Sequence, residues 1–378
     1  MKRFLAILFI TILLGLGTVH LLFRDQIDLI EMVRAKLSKT KKVLKMNRAE
    51  SKIVNDPTEP PRKHNQLTPQ WGSDASKQRY LELQYTIGGN QEDHRFSFRK
   101  VIDLEFADSG NLFVLDFNNK SIELFDARGQ HVRTLGIGKN RDRLLLKPTD
   151  LEVDEAGRVY VADRRKGVLV LNSNGKLLKT ITSPYKIEQI ALNSQNQIVA
   201  LTPANKYLLH KLNTSGREIL TFGFQEEASA ALRQVFGQAM LAMDSNDYLY
   251  VSFQYPYKIM KFSAAGRALL EFDRPLQIAI NPPTIYRRQD GSIKQVFRQQ
   301  ISYDLKMAED GLLYNLVRTK GAKAADVLDA FSAQGDYLQR FYLVSEVSRF
   351  AIWENYLALL VSLKKQEISV YKILEVNE

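Results

Sequence analysis

The stretch IDLEFADSGNLFVLDFNNKSIELFDARGQHVRTLG, residues 102–136, decides the fold. Its apolar residues alternate or run together for four or five positions, and polar turns interrupt them at Asp108-Ser109-Gly110-Asn111 and Asp126-Ala127-Arg128-Gly129. Glycine takes positive φ without steric penalty, and Asp and Asn side chains bond nearby backbone, so both clusters are turns with a mechanism. Val, Ile, Leu and Phe dominate the runs, as a pleated and largely buried sheet prefers. The stretch reads as four strands joined by three turns.

The same pattern returns in TDLEVDEAGRVYVADRRKGVLVLNSNGKLLKTI, residues 149–181, and in weaker copies at 187–223, 239–273, 302–343 and 347–376. The residues that open the first strand of each copy are Asp103, Asp150, Gln189, Met240, Asp304 and Arg349, with Ser348 the other choice for the last. A unit of about 40–50 residues built from four short strands is the signature of a β-propeller. The last copy stops after its third strand, and residues 80–88, YLELQYTIG, carry the pattern of the missing fourth. The expected fold is therefore all-β, a six-bladed propeller of four-stranded blades. Its N-terminal strand closes the last blade and removes the sheet edges that invite aggregation.

At Pro148 to Val153, Gly157 to Asp163 and Leu169 to Gly175 the chain resembles the NHL-repeat family of six-bladed propellers. Gly110 to Asp116 and Ile122 to Gly129 carry the same likeness in the first copy, and it fades toward the C-terminus. Glu105 and Glu152 depart from it, standing where that family places Ala or Gly. The resemblance implies a propeller that binds things; such propellers include receptors, RNA binders and enzymes.

The 378 residues allow one propeller of about 300 residues with an N-terminal appendage. The expected organisation is a signal anchor or transmembrane helix at 1–23, a basic helical stalk at 24–52, a Pro-rich linker at 53–79 and the propeller at 80–378. Lys2 and Arg3 precede an apolar run from Phe4 to Phe23, long enough to cross a bilayer core. A short basic start before such a run favours export of the C-terminal side, whereas Arg24, Arg34, Lys36, Lys39, Lys41 and Lys42 count against it. Export is the expectation, leaving a membrane-anchored propeller outside the cytoplasm. Residues 53–79 hold Pro57, Pro60, Pro61 and Pro69 among polar neighbours, so the linker is expected to act as an unpacked, extended tether. There is no cysteine, hence no disulfide framework and no thiolate metal site.

The net charge of +11 is unevenly placed. Residues 1–79 hold 15 Lys and Arg against 7 Asp and Glu, giving +8 and leaving +3 for the propeller. A nucleic-acid footprint would want clustered basic residues on the folded domain, so RNA is a weak candidate partner.

Two candidate sites follow. The first is the channel mouth, with Asp103, Asp150, Gln189, Asp304 and Arg349 as ligand-binding candidates. Three carboxylates around a channel could begin a hard-cation site or supply general bases. The plainer alternative is that each Asp accepts backbone N–H groups at its blade junction. No metal site or cofactor is expected, calcium being the one ion the ring could serve. The second site is the longest break in the repeat, residues 273–301. There Asp290-Gly291 can turn a hairpin flanked by Tyr286, Arg287, Arg288, Lys294 and Arg298, candidates for partner binding. A shorter break at 225–236 reads as a helix over 226–235. His94, His131 and His210 show no metal-ligand spacing.

The function expected is that of a membrane-tethered binding scaffold for a protein, peptide or glycan through one propeller face. The alternatives are a lactonase-like hydrolase or lyase using the acidic ring, and an RNA- or membrane-surface-binding module.

Overall fold

The computed structural model of the protein describes residues 52–54, 59–73, 79–89, 97–136, 144–227, 229–319, 324–362 and 366–375. The expected anchor at 1–23, and the stalk at 24–52 except for Lys52, lie outside these residues. No helix among the described residues is long and apolar enough to cross a membrane.

Six four-stranded antiparallel sheets follow one another along the chain. The inner strands, in order, are Val101–Phe106, Pro148–Val153, Gln189–Leu192, Ala239–Met243, Ser302–Met307 and Phe350–Trp353. Successive strands of each blade run outward to His131–Leu135, Leu177–Ile181, Glu218–Phe224, Ala268–Asp273 and Tyr337–Val347 in blades 1 to 5. Blade 6 takes its outer strand from Arg79–Gly88, which pairs antiparallel with Glu367–Glu375, Ile87 opposite Ile368 and Tyr80 opposite Leu374. This is the closure that the YLELQYTIG pattern predicts.

Apolar side chains fill the spaces between neighbouring blades. Leu104, Leu112 and Val114 of blade 1 pack on Ala358, Ile368 and Val370 of blade 6. Leu115 and Ile122 pack on Leu151, Val161 and Leu169 of blade 2 on the other side. Each inter-blade space has such a cluster, so the core is a ring of interfaces, and the one between blades 6 and 1 forms only when the circle closes. The turn glycines take part. Gly175, at φ +80°, comes so close to Leu135 of the preceding blade that a Cβ would lie 2.7 Å from its Cδ2.

The structure corrects the reading of the linker. Lys52–Ile53, assigned to the end of the stalk and the start of the tether, is a short strand parallel to the outer strand of blade 3, beside Leu220 and Thr221. Arg62–His64 adds in the same way to blade 4, opposite Glu271, Phe272 and Asp273. Asn65 then bridges blades 4 and 5: its Nδ2 donates to Asp273 and Gly335 carbonyls, each at 2.8 Å, and its Oδ1 accepts the Tyr337 N–H. Trp71 lies against the cluster between blades 5 and 6. The order comes from backbone pairing with open sheet edges, which a count of the segment's own apolar residues does not register.

The 273–301 break forms the expected hairpin, Thr284–Arg287 with Ile293–Phe297, and Asp290 Oδ1 accepts the Ser292 N–H at 2.8 Å. The helix expected at 226–235 is α1, Ala230–Phe236. Its start is set by Ser229, whose Oγ accepts the Leu232 N–H at 3.2 Å.

Candidate functional site: the channel mouth

The ring residues are placed by one local device. The inner strands of blades 1, 2 and 5 each carry an irregularity just ahead of the ring Asp, which re-aims the side chain as bulges do. The ring then stitches blade to blade. Asp103 accepts Leu104 N–H at 3.0 Å and, across the junction, Leu151 N–H at 2.7 Å. Asp150 accepts Ile190 N–H at 2.8 Å and the Gln189 amide at 3.2 Å. Gln189 accepts Leu241 N–H at 3.0 Å. Asp304 accepts Leu305 and Phe350 N–H groups, both at 3.0 Å. Arg349 completes the circle, donating to the carbonyls of Ile102 at 2.7 Å and Tyr303 at 2.8 Å.

Met240 has no polar group for this role. At its junction Gln254, from the second strand of blade 4, accepts Ile301 and Ser302 N–H groups and donates to the Ser302 carbonyl. All six junctions are therefore held by at least one polar side chain. The plainer of the two readings of the ring describes its geometry: Asp103, Asp150 and Asp304 are buried, with their oxygens engaged by protein donors. Burial, with Asp103 and Glu152 nearby, raises the Asp150 carboxyl well above its ordinary range; burial also raises Asp304, against the pull of Lys306 and Arg349.

Beyond the ring, the mouth opens into a cavity of about 330 Å³. Gln189 and Arg349 line it; Asp103, Asp150 and Asp304 do not. Its walls carry Lys100 of blade 1, Lys147 and Arg164 of blade 2, Arg349 of blade 6 and Arg298 from the 273–301 insertion. Glu188 is the one acidic residue in the lining, and Arg164 forms an ion pair with it. Of the five insertion candidates only Arg298 reaches the cavity, held by the Gln238 amide oxygen at 3.3 Å, and burial lowers its pKa. Tyr286 instead meets Phe297 edge-on within the hairpin. Arg287 and Arg288 donate to hairpin backbone oxygens, and Lys294 is exposed.

Lys100, Lys147 and Arg164 escape a reading focused on the ring positions. A signal is nonetheless there: Lys100, Lys147 and Lys186 each stand three residues ahead of the ring residue of their repeat. Asp116 and Asp163, closing the second strands of blades 1 and 2, fix these approach loops by accepting the Lys100 and Lys147 N–H groups at 3.1 and 2.8 Å.

Deeper on the inner strands, two residues past the ring Asp, stand Glu105, Glu152 and Lys306. Lys306 of blade 5 pairs with Glu105 of blade 1, two blades that are not neighbours, so the pair spans the channel. Burial pushes the Glu105 carboxyl up to about 7 against the opposing effect of Lys306. Burial and the nearby Glu105 raise Glu152 well above its ordinary range. Burial works against the charge on Lys306, yet Glu105, Asp103, Glu152 and Asp304 hold its pKa well above the usual value. Among the described residues no group of three or more His, Asp or Glu side chains is arranged to hold a metal ion. His131 and His210 sit away from the channel, paired with Glu123 at 2.9 Å and Glu218 at 2.6 Å.

No family model and no curated protein sequence matches the chain. Solved structures do. A streptogramin B lyase is 11% identical, covers 80% of this chain and 100% of its own, and superposes with a TM-score of 0.51. Virginiamycin B lyase from Staphylococcus aureus, 10% identical, covers 79% of this chain and 100% of its own at a TM-score of 0.49. The β-propeller domain of Myceliophteria thermophila Cps50 (Swd1), 12% identical, covers 78% and 100% at 0.47. At 11% identity the likeness to the streptogramin B lyase is one of fold alone.

Proposed function

We propose that the protein is a non-catalytic binding propeller, a relative of NHL-repeat proteins, tethered to a membrane by residues 4–23 and displayed outside the cytoplasm. Its mouth face engages a protein, peptide or glycan. The observation that carries this reading is the make-up of the 330 Å³ cavity. The charged groups on its wall are cations and one carboxylate paired with Arg164, an arrangement suited to holding an anionic or polar ligand. The carboxyl raised to about 7, Glu105, lies deeper and is engaged by Lys306.

The test is capture by the full-length protein in detergent, with charge reversal on the mouth against reversal on the hairpin. Lys147→Glu with Arg298→Glu should reduce capture of the bound partner at least tenfold, while Lys294→Glu leaves it unchanged. Capture that survives the mouth reversal, with folding intact, contradicts the reading.

A further inference from the structure

The four cations Lys100, Lys147, Arg298 and Arg349 form no ion pair with any carboxylate among the described residues. They come from blade 1, blade 2, the insertion after blade 4 and blade 6, and so surround the cavity instead of running along one side of it. Arg349 bonds neutral carbonyls, which fix its guanidinium without cancelling its charge. The lining also includes the half-buried Phe117, whose ring has the ammonium groups of Lys100 and Lys120 at 5.2 and 3.6 Å from its centre. Gln300 adds an amide with no hydrogen bond among the described residues.

These features point to one chemical class. Cations on several sides of a small chamber favour a compact ligand whose charges point in more than one direction; a stripe of cations would favour an extended acidic chain. A cavity of about 330 Å³ has room for a sugar ring with substituents but not for a folded partner. The Phe117 ring is covered by ammonium groups and holds them in place, while the Gln300 amide beside them suits the hydroxyls of a sugar. Building on the mouth as the binding site, we propose that its ligand is a sugar unit bearing two or more acidic groups, free or at the end of a glycan. The acidic groups reach Lys100, Lys147, Arg298 and Arg349, and the Gln300 amide meets a ring hydroxyl.

Calorimetric titration of the full-length protein in detergent tests this, with glucose 1,6-bisphosphate, glucose and a deca-glutamate peptide as probes. The bisphosphate should bind at least tenfold more tightly than glucose, and its affinity should fall as salt rises from about 0.05 M to about 0.5 M. Lys147→Gln with Arg298→Gln should weaken it at least tenfold, and Lys294→Gln should not. Binding of a heparin disaccharide, whose terminal uronate carries both a carboxylate and a 2-O-sulfate, with the same dependence on Lys147 and Arg298 would place the sugar at a glycan end; binding of the bisphosphate alone would make it a free ligand. Glucose binding as tightly as the bisphosphate overturns the acidic class. Deca-glutamate binding more tightly, with the same dependence on Lys147 and Arg298, overturns the sugar class but keeps the mouth as the binding site. Binding of the bisphosphate that is unaffected in the double variant overturns both.

Discussion

At the residue scale the channel holds two kinds of acid. Asp103, Asp150 and Asp304 each have backbone N–H donors across a blade junction, so their burial is matched by hydrogen bonds. Glu152 is different: it has no hydrogen bond or ion pair among the described residues, and burial beside Glu105 raises its pKa. A carboxyl whose pKa rises on folding favours the folded state most at low pH. As pH climbs past about 4.5 the unfolded chain loses this proton while the native protein keeps it, so stability falls. Glu152→Gln removes that penalty. Its melting temperature should match wild type near pH 4 and exceed it by roughly 1–2 °C at pH 8, the effect of about 1 kcal/mol in a domain of roughly 300 residues. A difference that is constant across pH, or that reverses, would show Glu152 to be stabilised by ionisation.

At the scale of the element, the turns position the strands, and glycines decide which turns can vary. Gly167, at φ +93° and opening the third strand of blade 2, would bring a Cβ to 2.1 Å from the Ile181 carbonyl oxygen. Gly311, at φ +78° in blade 5, has open space around it. Gly311→Ala should therefore cost about 1 kcal/mol, the backbone term alone, and Gly167→Ala about 3 kcal/mol or more because the outer strand must also shift. Denaturant melts of the two variants check the ordering, and equal losses would show that the contact at Ile181 yields freely. Such turns are where the sequence is most readable: Gly-containing clusters between short apolar runs mark the strand boundaries, and the ring positions follow from their register. The strands Lys52–Ile53 and Arg62–His64 were less readable, because edge pairing needs only free backbone groups and leaves little trace in side-chain type. α1 was offset for a related reason, its true start being the Ser229 cap inside the expected span.

At the scale of the molecule, the six inter-blade clusters make stability a property of the closed circle, with the strand Arg79–Gly88 as its last member. The repeat spacing and the orphan strand pattern at 80–88 made this architecture legible. The cationic mouth was not: the net charge of +3 on the propeller averages over a face where four cations gather unpaired. Lys100 and Lys147 come from approach loops and Arg298 from an insertion, so only closure brings them together. Amide hydrogen exchange of the full-length protein, with and without glucose 1,6-bisphosphate, tests the mouth as the binding face most directly. The account predicts slowed exchange at the approach loops and inner-strand starts near 100–102, 147–149, 238–240, 298–300 and 349. Slowing confined to the outer strands, such as Tyr337–Val347, with the mouth unchanged, would contradict it.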